Sequence, residues 1–317
     1  MMGTGFVLFK LKKVDAAFSK QLSFTQMMVF YPCMIFTSLT GQLSFSQLAE
    51  YWILPVAAAG IMILGLAINA LVLRPFNRHW EKRTRRTADF CGLINNYSFL
   101  PLLLVSSLFG EKAMALVIFA AFGVEIVVWT IGVETISGAP CNIDLRSVHN
   151  TAAGSIRFKW RSLKNLLTMP MFAIAAAVTL LLLRHCFALP ESMAFNNIND
   201  TLVLIGRATI PASSVVCGIR MANASPASAF APRILSMTAI RLILIPAAAI
   251  ALLCLIPMAT ESRNVLIVIA TMPTAMSSVV MSEIYDGDPL AAASAVLSSH
   301  IFCLATIPLW LHLLGIV

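Results

Sequence analysis

A polar cluster beside a proline interrupts one of the apolar stretches of this chain. Asn95, Asn96, Tyr97 and Ser98 come just before Pro101. Proline has no amide hydrogen and its ring displaces a preceding carbonyl, so it can break a helix and leave backbone polar groups unpaired. Amide and hydroxyl side chains beside such a break can donate hydrogen bonds to an anion. This cluster therefore predicts a binding site for a small carboxylate.

A second polar cluster surrounds Pro273. Its hydroxyl side chains are Thr271, Thr274, Ser277 and Ser278. If both prolines break helices, the amino-terminal end of each new half-helix offers a partial positive charge to an anion. We predict that the second cluster completes the site begun by the first. The alternative is that both prolines only bend their helices and that the polar side chains bond to the backbone.

Four ionisable residues lie within or at the ends of other apolar stretches, where a charge is costly and is a functional candidate by default. Glu125 could exchange a proton during transport, or it could pair with an arginine. Arg207 and Arg241 could attract an anionic substrate, or their long side chains could reach a membrane interface. Glu283 is a further candidate for charge coupling. His300 is predicted to be a hydrogen-bonded core residue rather than a ligand.

Signals of catalysis or metal binding are missing from the sequence. The seven cysteines are scattered without close pairs, so they predict neither a zinc site nor a disulfide framework. A membrane hydrolase would need a nucleophile with its base, paired aspartates or a metal motif such as HExxH. We therefore predict that the protein is not an enzyme and that it uses no metal or cofactor.

The composition indicates which elements must position these residues. Apolar residues make up 59% of the 317 residues and charged residues only 11%, against roughly a quarter charged in a soluble domain. A spanning helix needs about 20 apolar residues, and nine such stretches predict an all-α membrane protein. They cover residues 23–41, 52–73, 88–109, 113–136, 166–187, 201–220, 234–258, 264–284 and 290–317.

The positions of the basic residues predict the orientation in the membrane. The chain has 22 Lys and Arg against 14 Asp and Glu, and most of the basic residues before the fifth apolar stretch lie in residues 10–20, 74–86 and 146–164. The positive-inside rule places these segments in the cytoplasm, so the N-terminus is cytoplasmic and the C-terminus external. The predicted partners are a small organic anion and the lipid bilayer, not nucleic acid, and a homodimer is left open.

A weak internal repeat divides the chain into residues 1–136, a basic cytoplasmic linker at 137–165, and residues 166–317. Each half from its first proline helix holds four spans, and a complete half of five spans would force the two halves into opposite orientations. Inverted repeats with broken helices are typical of secondary transporters. The matched pairs are Pro32 with Pro211, Pro55 with Pro246, and Pro101 with Pro273.

These features resemble the auxin efflux carrier family, which includes bacterial transporters of organic acids and the plant auxin exporters. The resemblance implies ten helices in two inverted five-helix repeats that cross at two broken helices. Here residues 5–9 resemble the tail of a lost or truncated first helix, and Ser98 and Phe99 stand where the family's crossover is richer in glycine. The similar stretches are 30–36, 95–102, 108–110, 211–218, 241–246, 273–298 and 306–310.

The resemblance and the polar clusters together predict a secondary transporter, either an efflux carrier or a permease. It would move small organic anions such as carboxylates across the cytoplasmic membrane by alternating access at the crossover. Two alternatives remain at this point. One is a sodium-coupled symporter of the bile-acid type, which shares the broken-helix arrangement. The other is a membrane sensor that keeps the fold but moves no solute.

Overall fold

Helices account for nearly all the regular structure of the residues that the structure describes. The computed structural model describes residues 2–97, 99–138, 168–187, 193–223 and 226–316, and within them the only non-helical pairing is one isolated antiparallel bridge. The prediction of an all-α membrane protein is confirmed. Most of the predicted linker and Ser98 lie outside the described residues. The division into two inverted repeats stays a prediction.

The helices before the linker are α1 (Met2–Lys10), α2 (Ala16–Thr25), α3 (Tyr31–Gln42), α4 (Phe45–Glu50), α5 (Ile53–Val72), α6 (Lys82–Leu93), α7 (Phe99–Val127) and α8 (Val133–Ser137). The helices after it are α9 (Met169–Phe187), α10 (Met193–Arg207), α11 (Thr209–Asn223), α12 (Pro226–Ala229), α13 (Pro232–Ala239), α14 (Ile245–Leu255), α15 (Thr260–Thr271), α16 (Ser277–Ile284) and α17 (Pro289–Leu313).

Seven helical stretches among the described residues are long and apolar enough to cross a membrane. Two of the nine predicted spans are absent from this set because each is interrupted by a non-helical segment. The first consists of α6 and the start of α7, up to Gly110, whose φ of +84° ends the regular helix there. The second consists of α15 and α16. The seven stretches are Ala16–Gln42, Phe45–Val72, Phe99–Ser137, Met169–Phe187, Asn197–Ala222, Pro232–Leu255 and Pro289–Leu313.

Large apolar side chains cover the outer surface of these helices. Leu71, Leu204, Leu255 and Leu304 are 76%, 71%, 79% and 78% exposed, respectively. An extended apolar surface of this kind is rare on a soluble monomer and marks contact with a membrane or a partner. Here it is the surface that the hydrocarbon of a bilayer would cover.

Among the described residues, three π-helical turns widen the long helices, at Gln26–Phe30, Val128–Gly132 and Ile240–Leu244. The first and third are each followed directly by a helix whose second residue is a proline, Pro32 and Pro246. Proline removes one backbone donor and crowds the preceding turn, and a π turn is one way for a helix to absorb that change. These two prolines therefore account for two of the three wide turns.

The helices pack as two groups that each draw members from both sides of the linker. In the first helix group, α1 and α2 pack against α11, while α3 packs against α9 and α10. In the second helix group, α5 packs against α6, α7 and α15, and α17 packs against α6, α13 and α16. α3 joins the two groups by packing against α7. The two interrupted spans therefore belong to the same helix group.

Polar contacts join the connections between spans at opposite ends of the molecule. At one end, the Lys112 ammonium lies 3.2 Å from the Glu261 carboxylate. At the other end, the Arg86 guanidinium donates to the carbonyls of Ser137 and Asp286, both at 2.7 Å. The first end joins the third and seventh connections, and the second end joins the second, fourth and eighth. This arrangement agrees with successive spans that run in opposite directions.

The short N-terminal segment forms the helix α1, as the sequence predicts for residues 5–9. α1 lies against α11 at very close range, because a Cβ on Gly5 would stand 2.2 Å from the Val215 carbonyl oxygen. Glycine is therefore required at this position for the two helices to pack as they do. The interpretation of α1 as the remnant of a tenth span stays a prediction.

Candidate functional site

Two non-helical segments meet in the interior of the second helix group. α6 ends at Leu93 and α15 ends at Thr271, and the residues that follow them, Ile94 and Met272, adopt extended backbone angles. In a membrane, backbone groups released from a helix must find partners within the protein. We call the two segments, 94–97 and 272–276, the first and second breaks.

The two breaks satisfy each other's backbone as a short antiparallel pair. Asn95 and Thr274 form the isolated bridge between them. The Asn96 N–H donates to the Pro273 carbonyl at 2.7 Å. The structure thus brings together polar clusters that are far apart in the sequence, as the argument from the two prolines predicts.

The two prolines occupy different places relative to the breaks. Pro273 lies within the second break, whereas Pro101 is buried in the first turn of α7. The sequence therefore predicts the first break too late in the chain, because the break lies at residues 94–97, before Pro101. The first turn of a helix tolerates proline because its N–H would have no partner there. Pro101 thus helps to begin the second half-helix.

The side chains of Asn95 and Asn96 are buried but differ in their partners. The Asn95 amide nitrogen donates to the Ile269 carbonyl, near the end of α15, and its oxygen Oδ1 has no hydrogen-bond partner among the described residues. The Asn96 amide nitrogen, on a residue only 4% exposed, has no partner among them either. An unpaired buried amide costs about 1–3 kcal/mol. Asn96 is therefore the member of the pair with free donors.

The hydroxyl groups of the second cluster differ in their partners, and the Ser278 hydroxyl, on a residue 0% exposed, has none among the described residues. The Thr271 hydroxyl donates to the Val268 carbonyl of its own helix at 2.9 Å, which is the backbone-bonded alternative considered for this cluster. The Thr274 N–H donates to the Ser299 hydroxyl of α17 at 3.2 Å. Ser277 is half-buried at the start of α16. The Ser277 hydroxyl lies at the N-terminus of α16, which begins directly after the second break.

Glu125 is buried in α7 beside the first break. Its two carboxylate oxygens accept hydrogen bonds from the Tyr97 hydroxyl at 2.7 Å and from the Trp129 indole N–H at 2.8 Å. Glu125 has no salt bridge to any described residue, so no arginine in the described part of the chain pairs with it. Tyr97 links this carboxylate to the break. A role for Glu125 in proton exchange stays a prediction.

Arg241 connects the carboxyl ends of the two interrupted helices. It is 1% exposed, so it does not extend to a membrane interface. Its guanidinium donates to the carbonyls of Gly92 at 3.3 Å, Ala270 at 3.1 Å and Met272 at 3.2 Å. These carbonyls belong to the ends of α6 and α15, where each helix carries a partial negative charge. Arg241 therefore stabilises both breaks from one side.

Arg220 is a partly buried cation on the other side of the breaks, and sequence reasoning did not identify it. Its guanidinium donates to the Met276 carbonyl at 3.1 Å and to the Ser23 hydroxyl at 3.0 Å. Arg220 lies on α11 of the first helix group, and Met276 ends the second break. It thus bridges the two groups next to the N-terminus of α16. The sequence signal was a lone arginine at the end of an apolar stretch.

The remaining predicted residues lie away from the breaks. Arg207 is exposed at the end of α10, and both roles predicted for it stay predictions. Glu283 is exposed on α16, where it interacts electrostatically with Arg220. The His300 nitrogen Nδ1 lies 2.8 Å from the Val296 carbonyl, and the residue is 4% exposed. The prediction that His300 is a hydrogen-bonded core residue is confirmed.

Comparison with known proteins agrees with this architecture. A family model described as a membrane transport protein matches residues 1–311. The chain is also similar to an uncharacterized transporter of Methanocaldococcus jannaschii, with 26% identity over 285 residues that cover 88% of this chain and 84% of that protein. These matches confirm the resemblance inferred from the sequence. The chain is therefore a multi-pass membrane transport protein that belongs to the auxin efflux carrier family.

Proposed function

We propose that this protein is a secondary transporter that moves small organic anions, such as carboxylates, across the cytoplasmic membrane. Transport proceeds by alternating access at the paired breaks. The observation that supports this proposal is the asymmetry of charge around them. Arg241 already neutralises the carboxyl ends of α6 and α15, whereas the amino ends of α7 and α16 are left with their partial positive charges. An anion placed between these amino ends is attracted by the partial positive charges of both.

The donors beside these helix ends suit weak and reversible binding. Asn96 supplies a neutral amide whose nitrogen is unpaired, and Arg220 supplies one cation that Glu283 partly offsets. A carrier must release its substrate, so a mixture of neutral donors and a single shielded charge serves it better than a dense cluster of arginines. We propose Asn95, Asn96, Arg220 and Ser277 as the residues that contact the carboxylate.

We expect Asn96→Ala to weaken substrate binding with little effect on folding. The substitution removes an amide nitrogen that has no protein partner, so no internal hydrogen bond is lost through that atom. A donor to a charged acceptor contributes about 1.5–3 kcal/mol, which corresponds to a KM at least about tenfold higher. The measurement is uptake of radiolabelled mono- and dicarboxylates by reconstituted vesicles, together with the melting temperature of the purified protein.

Two further variants make this result specific. Asn95→Ala removes the bond to Ile269 and should lower the melting temperature as well as the flux. Asn197→Ala removes an exposed amide on α10 and should change neither. Unchanged KM values in Asn96→Ala for every carboxylate that the wild type transports would contradict the proposed site.

We also propose that the end of the molecule that contains Arg86 faces the cytoplasm, which places the C-terminus outside. The basic residues concentrate in the connections at this end, as the positive-inside rule requires. A reporter that is active only in the cytoplasm should be inactive when fused after Val317. The same reporter fused after His79, in the second connection, should be active. Cytoplasmic activity of the first fusion would contradict the proposed number of spans.

A further inference from the structure

An elongated cavity opens beside the first interrupted span, at the same end of the molecule as Arg86. Its volume is about 900 Å³, and it lies between α5, α6 and α8. Four arginines line one part of it, against two carboxylates, Asp89 and Glu134. The arginines are Arg74, Arg78, Arg85 and Arg86. The cavity is separate from the breaks, and the proposed transport site uses none of these residues.

Two of the four arginines are available to a ligand. Arg74 lies 3.3 Å from the Asp89 carboxylate, and Arg86 is bonded to the carbonyls of Ser137 and Asp286. The side chains of Arg78 and Arg85, by contrast, form no hydrogen bond to any residue that the structure describes, although Arg85 interacts electrostatically with Asp89, which is already bonded to Asn69 and Arg74. Two guanidinium groups with free donors at one cavity wall favour a ligand with several anionic oxygens, because guanidinium geometry matches phosphate.

A fully buried amide in the wall of the cavity lacks partners as well. Asn77 is 0% exposed and lines the cavity. Neither its amide nitrogen nor its amide oxygen has a hydrogen-bond partner among the described residues. An amide buried without partners destabilises a protein, and a polar headgroup that enters the wall beside Asn77 would supply these partners. The amide presents both a donor and an acceptor, so it suits a headgroup that carries hydroxyl groups as well as phosphate.

The remainder of the wall is apolar and extends along α5. Ile63, Leu66 and Leu71 line the cavity, and Ile63 and Leu71 are 45% and 76% exposed on the surface that faces lipid. At 1.5 Å per residue, the wall extends about 16 Å from Ile63 to Arg74. A ligand that fills the whole cavity is therefore an amphiphile, with its anionic group at the arginines and its hydrocarbon along α5.

We propose that this cavity binds an anionic phospholipid, with the headgroup phosphate at Arg78 and Arg85, the headgroup hydroxyls at Asn77 and an acyl chain along α5. Basic pockets between membrane helices on the cytoplasmic side are typical binding places for such headgroups. Arg85 and Arg86 lie on α6, the helix that leads into the first break. A lipid bound there therefore contacts the first interrupted span through α6 as well as the lipid-facing surface of α5.

Native mass spectrometry of the purified protein in detergent tests this proposal. The probes are short-chain phosphatidylglycerol, phosphatidylcholine with the same chains, and glycerol 3-phosphate. We expect the wild type to retain one phosphatidylglycerol at least fivefold more than phosphatidylcholine. Arg78→Gln/Arg85→Gln should lose this preference. Arg233→Gln, which removes an exposed arginine that lines a different cavity, should keep it.

Asn77→Leu provides a second test that does not depend on charge. Leucine has a similar volume and removes two unpaired polar atoms, so the protein should fold at least as well as the wild type while it retains at least threefold less phosphatidylglycerol. Equal retention of phosphatidylglycerol by the wild type and both cavity variants would overturn the proposal. Retention of glycerol 3-phosphate as strong as that of the lipid would also overturn it, because the site would then bind a free phosphate.

Discussion

Arg241→Met should destabilise the protein more than any other single substitution near the breaks. The variant leaves the carbonyls of Gly92, Ala270 and Met272 without their donor in a buried position. Each buried acceptor left unpaired costs about 1–3 kcal/mol. The desolvation cost that the guanidinium no longer incurs offsets part of this loss, so we expect a net destabilisation on the order of 3 kcal/mol.

Thermal unfolding in detergent and carboxylate flux in vesicles measure the effect. Both should fall sharply in Arg241→Met. Arg241→Lys should be intermediate, because an ammonium on a flexible stem cannot reproduce the planar set of donors that contacts both helix ends. Arg207→Met removes an exposed arginine and should melt as the wild type does. If Arg241→Met keeps the wild-type melting temperature, the guanidinium does not hold the two breaks together.

Arg220→Gln should reduce anion flux at least about tenfold, since a charged hydrogen bond contributes about 1.5–3 kcal/mol. Arg220 is the cation that lies nearest the N-terminus of α16 in the described contacts. Glutamine keeps a donor for the Met276 carbonyl but removes the charge. The expected change is therefore a higher KM for carboxylates, with a smaller change in the maximal rate.

A readout that depends on charge separates this role from a structural one. Uptake of the uncharged amide analogue of the best substrate should be nearly the same in Arg220→Gln and in the wild type. Arg220→Lys, which keeps the charge, should restore part of the carboxylate flux, and Arg207→Gln should be without effect. Equal losses for the charged and uncharged analogues would show that Arg220 only joins the two helix groups.

The sequence was sufficient to predict the apolar spans, the two interrupted helices and the polar clusters that meet. Each of these follows from a local pattern, namely a long apolar run or a proline among polar residues. The position of the first break was harder to predict from the sequence, because proline is equally compatible with the interior of a kinked helix and with the first turn of a new one. Pro101 proved to be in a first turn.

The roles of the buried cations could not be inferred from local patterns. The three carbonyls that bind Arg241 lie 29, 31 and 149 residues away along the chain. Arg220 contacts Ser23, which is 197 residues distant. Whether an arginine in an apolar stretch meets a substrate, an interface or a set of carbonyls is decided by tertiary packing alone. The sequence could therefore mark Arg241 as unusual without assigning its partners.

The position of Arg241 bears on the choice of coupling ion. In transporters with broken helices, the carbonyl oxygens at the carboxyl ends of the half-helices are a typical place for sodium. In this chain a tethered guanidinium already occupies three such oxygens, and its charge repels a second cation. The protein thus carries its own permanent counter-ion at this point. Replacement of sodium by choline on both sides of the vesicle membrane should accordingly leave carboxylate flux unchanged, whereas a sodium-coupled symporter would stop.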